Sequence, residues 1–330
     1  MSPQTQPPLF QSLLNPNTVL AALQWLLFMF TNTLVIPIAV AAAFDLSLAK
    51  MTMLMQVSFV LVGAACVVQG LLGHRRPVME GQSGLWWAVI LSLAFSAHDQ
   101  GMSLTTVGGS LAIGIFLSAL VNIVIGLSGL GYVLARLFNP GVMGVFMFLF
   151  GVKLIEIFMK GMLGLPFGQA QGAPTINLSV SALSIVIVCL VTFITVRAKV
   201  WLARYALLIG LIVGWIAWSL AFTDSASDHT LSGFTLEFFP LGEPVWNTGI
   251  IVTCLITGIL NLANTFGAMK GTEPILQVQT SRSDYRRSLT ISGIWVGFSG
   301  LLGAVPFAPY VSSIGYLQQT GIYTRLPFIL

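Results

Sequence analysis

Residues 77–95 read PVMEGQSGLWWAVILSLAF, and residues 306–323 read PFAPYVSSIGYLQQTGIY. Both are apolar, yet Gly, Ser and Pro interrupt each of them. A continuous membrane helix needs about 20 apolar residues in a row. Pro306 and Pro309 disfavour helix ahead of Ser312. The pattern predicts extended chain over Val78–Gln82 and Phe307–Val311, with Ser83-Gly84 and Ser312-Ser313 each opening a half-helix. Two such strands can pair, which satisfies backbone groups that lipid would leave bare. Simply kinked helices are the alternative.

Around these broken segments lie eight continuous apolar runs, near 19–43, 51–73, 107–127, 140–160, 177–196, 204–222, 248–270 and 288–305. The 330 residues are 56% hydrophobic and 7% charged, with a mean hydropathy of +0.92. A soluble domain carries about a quarter charged residues, so composition excludes an ordinary soluble enzyme and a disordered chain. The apolar bias and three isolated cysteines exclude a disulfide scaffold. Cys66, Cys189 and Cys254 lie inside apolar runs without metal spacing, as small buried residues do. The first apolar run is too long for a cleaved signal, and no basic residue precedes it.

Charge placement tests the number of crossings. With the N-terminus inside and all ten segments crossing, inner loops hold Arg75, Arg76, Arg136, Arg197, Lys199, Arg204, Lys270, Arg282, Arg286, Arg287 and Arg325. Outer loops hold only Lys50 and Lys160, and Lys153 falls in a span. Basic residues collect in cytoplasmic loops, so the bias requires both broken segments to cross. The loop from Thr223 to Asn247, with Asp224, Asp228, Glu237, Glu243 and no Lys or Arg, fits the outer face.

A repeat is also visible. Ser83 lies 64 residues after Val19, and Ser312 lies 64 residues after Thr248. Seven crossings separate the two starts, so the second unit is inverted. Inverted repeats with matched broken segments place substrate at mid-membrane. A unit of seven spans leaves the second unit incomplete at Leu330, within an apolar stretch that reads as the start of span 11. The expectation is a truncated chain.

Helix ends inside a membrane expose N–H groups and partial positive charge. In span 8, Asn261, Asn264, Thr265 and Gly267 form a polar stretch. Asn261 and Asn264 share a face, and an amide offers donors and acceptors that suit a heterocycle edge. Helix–helix hydrogen bonding is the plainer alternative. Span 1 repeats the theme with Gln24, Asn32 and Thr33. Lys153, Glu156 and Lys160 have helical spacing for mutual pairing, with a proton relay as the alternative. His74, His98 and His229 have no metal-ligand or triad company. No phosphate loop, zinc-protease or nucleophile motif is present, so the reading is not an enzyme, without cofactor or metal.

With these residues in view, nearly the whole chain resembles the nucleobase–ascorbate transporters, also called nucleobase:cation symporters of the second class. Within that family it is most similar to a bacterial purine-permease branch. The likeness rests on His74-Arg75-Arg76, Gly84-Leu85-Trp86-Trp87, the run from Gly161 to Gly168, and Ser312-Ser313-Ile314-Gly315. The resemblance implies an all-α membrane fold of seven plus seven inverted spans, with short strands in spans 3 and 10. It implies a cytoplasmic N-terminus (1–18), core spans 1–4 (19–127), gate spans 5–7 (128–222), an outer loop (223–247), and core spans 8–10 with the start of 11 (248–330). Spans 12–14 would then be absent. It further implies elevator-like alternating access in a bacterial cytoplasmic membrane, and a homodimer through the gate.

The resemblance also points to site residues. It implies substrate contacts from Asn264, Ser312, Ser313, Ile314, Val311, Ser83, Gly84 and Trp86. Supporting roles fall to Gln24, Asn32, Asn261, Thr265, Gly267, Gly315 and Thr320. Some positions depart from the family pattern. Ser312 replaces the usual Gln or Glu, Ser313 the usual Asn, and Asn264 the usual Glu. Trp25 follows Gln24 where His is common. Gly84 replaces an aromatic, with Trp86 as its stand-in. Neither Asn264 nor Ser312 can titrate, so the coupling ion, proton or sodium, stays open. The expected cargo is a nucleobase: a purine such as xanthine, or uracil. An anion permease of the same fold and a non-functional truncated remnant are the alternatives. Nucleic acid is not an expected partner.

Overall fold

The computed structural model describes residues 16–99, 101–137, 141, 144–145, 148–149, 152, 155, 159–165, 175–203, 205–222 and 236–330. The first helix is α1 (Pro16–Ala43), followed by α2 (Leu48–Leu71), strand β1 (Glu80–Gln82), α3 (Gly84–Asp99) and α4 (Leu104–Ser128). A short amphipathic helix, α5 (Leu130–Leu137), follows, and the described positions from Gly141 to Met162 are helical. Then come α6 (Leu178–Arg197), α7 (Ala206–Ala221), α8 (Thr248–Leu276), α9 (Arg282–Leu302), strand β2 (Phe307–Pro309), α10 (Ser312–Thr320) and α11 (Leu326–Ile329). Among the described residues, α1, α2, α4, α6 and α8 are long and apolar enough to cross a membrane. Helix is the form that satisfies every backbone group within one segment there.

Polar residues mark where these helices begin. Ser47, Ser103, Asn177 and Asn247 each accept a first-turn N–H at the start of α2, α4, α6 and α8. A capping box sets the start of α9, where Ser281 and Asp284 bond each other reciprocally. That cap explains why α9 begins at Arg282, six residues ahead of its apolar run near 288. Burial pushes the Asp284 carboxyl up, but hydrogen bonds from Ser281 and the adjacent Arg287 outweigh it and hold it below the usual range. Gly129 ends α4 with φ +73°, a conformation that suits glycine.

Helix α4 is the central post, with α9 packed along one side and α8 along another. Glycines allow these close approaches. A Cβ on Gly258 of α8 would sit 1.7 Å from Ser118 Oγ of α4. One on Gly108 of α4 would sit 2.1 Å from the Leu241 carbonyl oxygen. Helices α6 and α7 pair with each other, Val191 filling the space beside Gly210.

The two broken segments meet as an antiparallel ribbon, with Glu80 opposite Pro309, Gly81 opposite Ala308 and Gln82 opposite Phe307. Val311 is not extended as the sequence suggested, because its backbone (φ −61°, ψ −30°) already turns toward α10. Lys50 pairs with Glu237 at 2.8 Å, so the two loops assigned to the outer face lie together. Arg76 bonds Thr272 and Thr280, joining two loops assigned to the inner face. Lys153 and Glu156 lie outside the described residues.

Two glycine variants test this packing. Gly108→Ala drives a methyl into a backbone carbonyl and should cost about 3 kcal/mol, the upper end for overpacking. Gly63→Ala, in α2 with nothing near its Cβ, should instead stabilise by about 0.5–1 kcal/mol. Thermal unfolding in detergent, followed by tryptophan fluorescence, separates the two directions.

Candidate functional site

The ribbon is held at both ends by backbone bonds. Ser83 N–H donates to Pro306 O at 2.8 Å, and Tyr310 N–H donates to Met79 O at 2.7 Å. The Tyr310 hydroxyl donates to Gln82 O at 2.6 Å. Ser313 Oγ accepts the Met79 N–H at 3.1 Å. Pro306 and Pro309 have no N–H to leave unpaired.

Asn261 of α8 ties both halves to the ribbon. Its Nδ2 donates to Phe307 O at 3.1 Å. Its Oδ1 accepts from Ser83 Oγ at 2.6 Å and from Asn264 Nδ2 at 2.9 Å. Asn264 thereby keeps one N–H and its carbonyl oxygen for another partner.

Beside the ribbon lies a cavity of about 1080 Å³. One wall is α1, α3, α8 and the β2–α10 junction, and the other is α6 and α7. Gln24, Asn264 and Ser312 bring polar groups to the first wall, and Phe28, Trp87 and Tyr316 bring rings. Phe28 and Tyr316 have centroids 4.7 Å apart, and Trp25 stands 4.4 Å behind Tyr316. The facing wall is apolar, formed by Ile187, Val191, Leu207, Leu211 and Trp215. Among the described residues, none that lines the cavity carries a charged side chain.

Most of the expected residues converge here, though not all. Asn264, Ser312, Ser83, Gly84, Val311, Gln24, Asn32 and Thr320 line the cavity. Ser313 and Asn261 do not, because they hold the ribbon together. Ser313 N–H and Ile314 N–H are spent on Tyr310 O and Val311 O, within the turn that opens α10. The Ile314 side chain packs against Gly271 of α8. Thr265 is buried within α8, Gly267 is a further residue of that helix, and Gly315 has open space at its Cβ position.

Trp86 is fully buried beside Gly258, away from the cavity, and Trp87 lines it instead. The helical period explains this. Two residues after Gly84 is the opposite face of α3, while three residues on is nearly the same face. Tyr310 and Tyr316 also line the cavity, two rings beyond those that the sequence pattern points to. Spacing along α10 from Ser312 to Tyr316 would have found the second.

The fold also brings together a buried ionisable pair that the order of residues does not mark. Glu80 on β1 is 0% exposed, and its Oε1 is 3.5 Å from His74 Nε2. His74, in the loop between α2 and β1, is therefore not the isolated loop histidine that the sequence suggested. Its Nδ1 accepts the Arg76 N–H at 3.0 Å. Burial, with Arg76 nearby, pushes the imidazole down to about 3. An acid inside an apolar segment was the sequence signal for Glu80. Among the described residues no cluster could hold a metal ion.

The family model described as Permease family (Xan_ur_permease) matches residues 16–330. A Bacillus subtilis (strain 168) protein named "Putative purine permease YwdJ" is 29% identical over 323 residues, covering 94% of this chain and 71% of that one. The Xanthine permease of the same organism is 24% identical over 312 residues, covering 92% and 68%. The Uric acid permease PucK, also from that organism, is 25% identical over 304 residues, covering 91% and 68%. Among solved structures, the transmembrane domain of a cyanobacterium bicarbonate transporter, BicA, aligns with a TM-score of 0.59. It covers 93% of this chain and 80% of that one at 20% identity, a likeness of fold.

Two outcomes follow from the geometry. Asn261→Ala leaves Phe307 O, Ser83 Oγ and Asn264 Nδ2 without their partner, and should cost about 1–3 kcal/mol in chemical unfolding. The second concerns pH. In the unfolded chain His74 takes up a proton near pH 6.5, but in the fold only near about 3. At His74 the unfolded state therefore binds more protons between those values, so this residue's contribution to stability falls as pH drops through that window. His74→Gln should flatten this slope in a melting series across pH.

Proposed function

This chain belongs to the Permease family, and from that membership we propose that it carries a nucleobase across a bacterial cytoplasmic membrane. A purine such as xanthine stands ahead of uracil, in keeping with the names of its purine, xanthine and uric acid permease relatives. The observation that carries the proposal is the cavity at the ribbon, whose described lining is polar and aromatic without charge. It offers amide and hydroxyl groups to a heterocycle edge through Asn264, Ser312 and Gln24, and ring faces to its plane through Phe28, Trp87 and Tyr316.

The proposed mechanism is elevator-like alternating access within a seven-plus-seven fold. Helices α1–α4 and α8–α10 form the moving core, and α5–α7 belong to the gate. The aliphatic side chains that α6 and α7 turn to the cavity, Ile187, Val191, Leu207 and Leu211, support this division, because such contacts can slide without breaking hydrogen bonds. The proposal includes a cytoplasmic N-terminus and a homodimer through the gate.

One observation favours a second reading. The N-termini of α3 and α10 both meet the cavity at Gly84 and Ser312, and helix N-termini attract anions. Against an anion stand the lack of a basic lining residue among the described residues and the use of α10 amides in its own turn.

The test is uptake of labelled xanthine and uracil by cells that lack their own nucleobase permeases. Uptake of either, competed by the unlabelled base, is the expected result. Asn264→Ala should weaken apparent affinity about tenfold, the equivalent of one good hydrogen bond. Absence of uptake, with the protein present in the membrane, would put the anion reading ahead.

A further inference from the structure

The Glu80–His74 pair lies on the rear of the ribbon from the cavity. Along β1, Glu80 and Gln82 point to one face. The Gln82 amide donates to Ser58 Oγ of α2 at 2.9 Å, so that face is turned to α2. The Glu80 backbone N–H donates to Cys66 Sγ of α2 at 3.2 Å. Neither Glu80 carboxyl oxygen nor His74 Nε2 has a hydrogen-bond partner among the described residues.

The tautomer of His74 decides the chemistry. Its Nδ1 accepts a hydrogen bond, which an imidazolium cannot do. The ring is therefore neutral and carries its proton on Nε2, the nitrogen that faces Glu80. A neutral ring cannot offset a buried carboxylate. Arg76 does not supply the charge either, because its guanidinium is committed to Met269 O, Thr272 and Thr280. Around Arg76 stand Glu273, Asp284 and Tyr285. Among the described residues, the remaining titratable neighbours of β1 are Cys66, which exchanges hydrogen bonds with the Glu80 backbone, and Tyr310, whose hydroxyl is spent on Gln82 O. The described length of α1, also packed on β1, holds no titratable residue.

We propose that Glu80 is the proton-carrying acid of the transport cycle, with His74 as its positioning residue. In the conformation described here Glu80 holds a proton, since an unpaired charge at full burial costs far more than protonation. When the rear of the ribbon is hydrated, the Glu80 O–H bond breaks and the proton passes to water. The His74 Nε2–H then steadies the carboxylate formed. The link to cargo runs through β1: Tyr310 lines the cavity and bonds Gln82 O, two residues from Glu80 on the same strand. This supplies a titrating acid where Asn264 and Ser312 cannot serve, and it rests on the transport reading above.

Two measurements test it. In the first, labelled xanthine is followed in membrane vesicles from cells that lack nucleobase permeases, with an imposed proton gradient and separately in gradient-free exchange. Glu80→Gln should lose gradient-driven accumulation and keep exchange, while Glu80→Asp keeps both. Wild-type accumulation in Glu80→Gln overturns the proposal. In the second, infrared difference spectra of the purified protein follow the protonated-carboxyl C=O band through a pH jump. The band should vanish in Glu80→Gln, and its midpoint should move in His74→Gln. A band unchanged by Glu80→Gln overturns the proposal. If the wild type neither accumulates nor exchanges xanthine, the cargo reading falls by itself, and the infrared band alone decides whether Glu80 titrates.

Discussion

Backbone in the middle of a membrane must find its hydrogen-bond partners within the protein. Two segments here are too broken to find them as helices, and so they find them in each other. The Glu80–Gln82 and Phe307–Pro309 ribbon is small, but nearly everything around it serves to keep it dry and in register. Asn261 takes the Phe307 carbonyl, Ser313 takes the Met79 amide, and Tyr310 takes the Gln82 carbonyl. Each is a side chain from outside the ribbon that closes a group the ribbon itself cannot close.

The same economy sets the helices. Glycines at the faces of α4 and α8 let these helices and the segment at Leu241 approach closely. Van der Waals packing of small residues is the main force available between helices in lipid. The opposite wall, α6 and α7, is built differently. It meets the cavity with branched aliphatic side chains and one indole. One side is thus bound by specific hydrogen bonds, and the other by contact that any small displacement can remake.

Much of the site could be read from residue types and their order. Broken segments with Pro and Ser marked the ribbon, and the amides of α8 marked the wall that faces it. What misled was helical phase. Trp86 and Trp87 are neighbours in sequence but lie about 100° apart around α3, and only the latter reaches the cavity. Ser312 and Ser313 divide likewise, one to the cavity and one to the Met79 amide. Glu80 escaped because a lone acid in a short strand has no periodicity to mark it, and its partner His74 looked like part of a basic loop.

The sequence by itself determined that this chain is a bundle of membrane helices with two interrupted segments, because apolar length and Pro/Gly breaks act locally. It also determined where most helices begin, because Ser and Asn caps are local too. Only the tertiary structure decided which polar groups face the cavity and which face each other. That choice depends on distances across the fold, such as Asn261 to Phe307 and His74 to Glu80, between segments that one-dimensional pattern does not bring together.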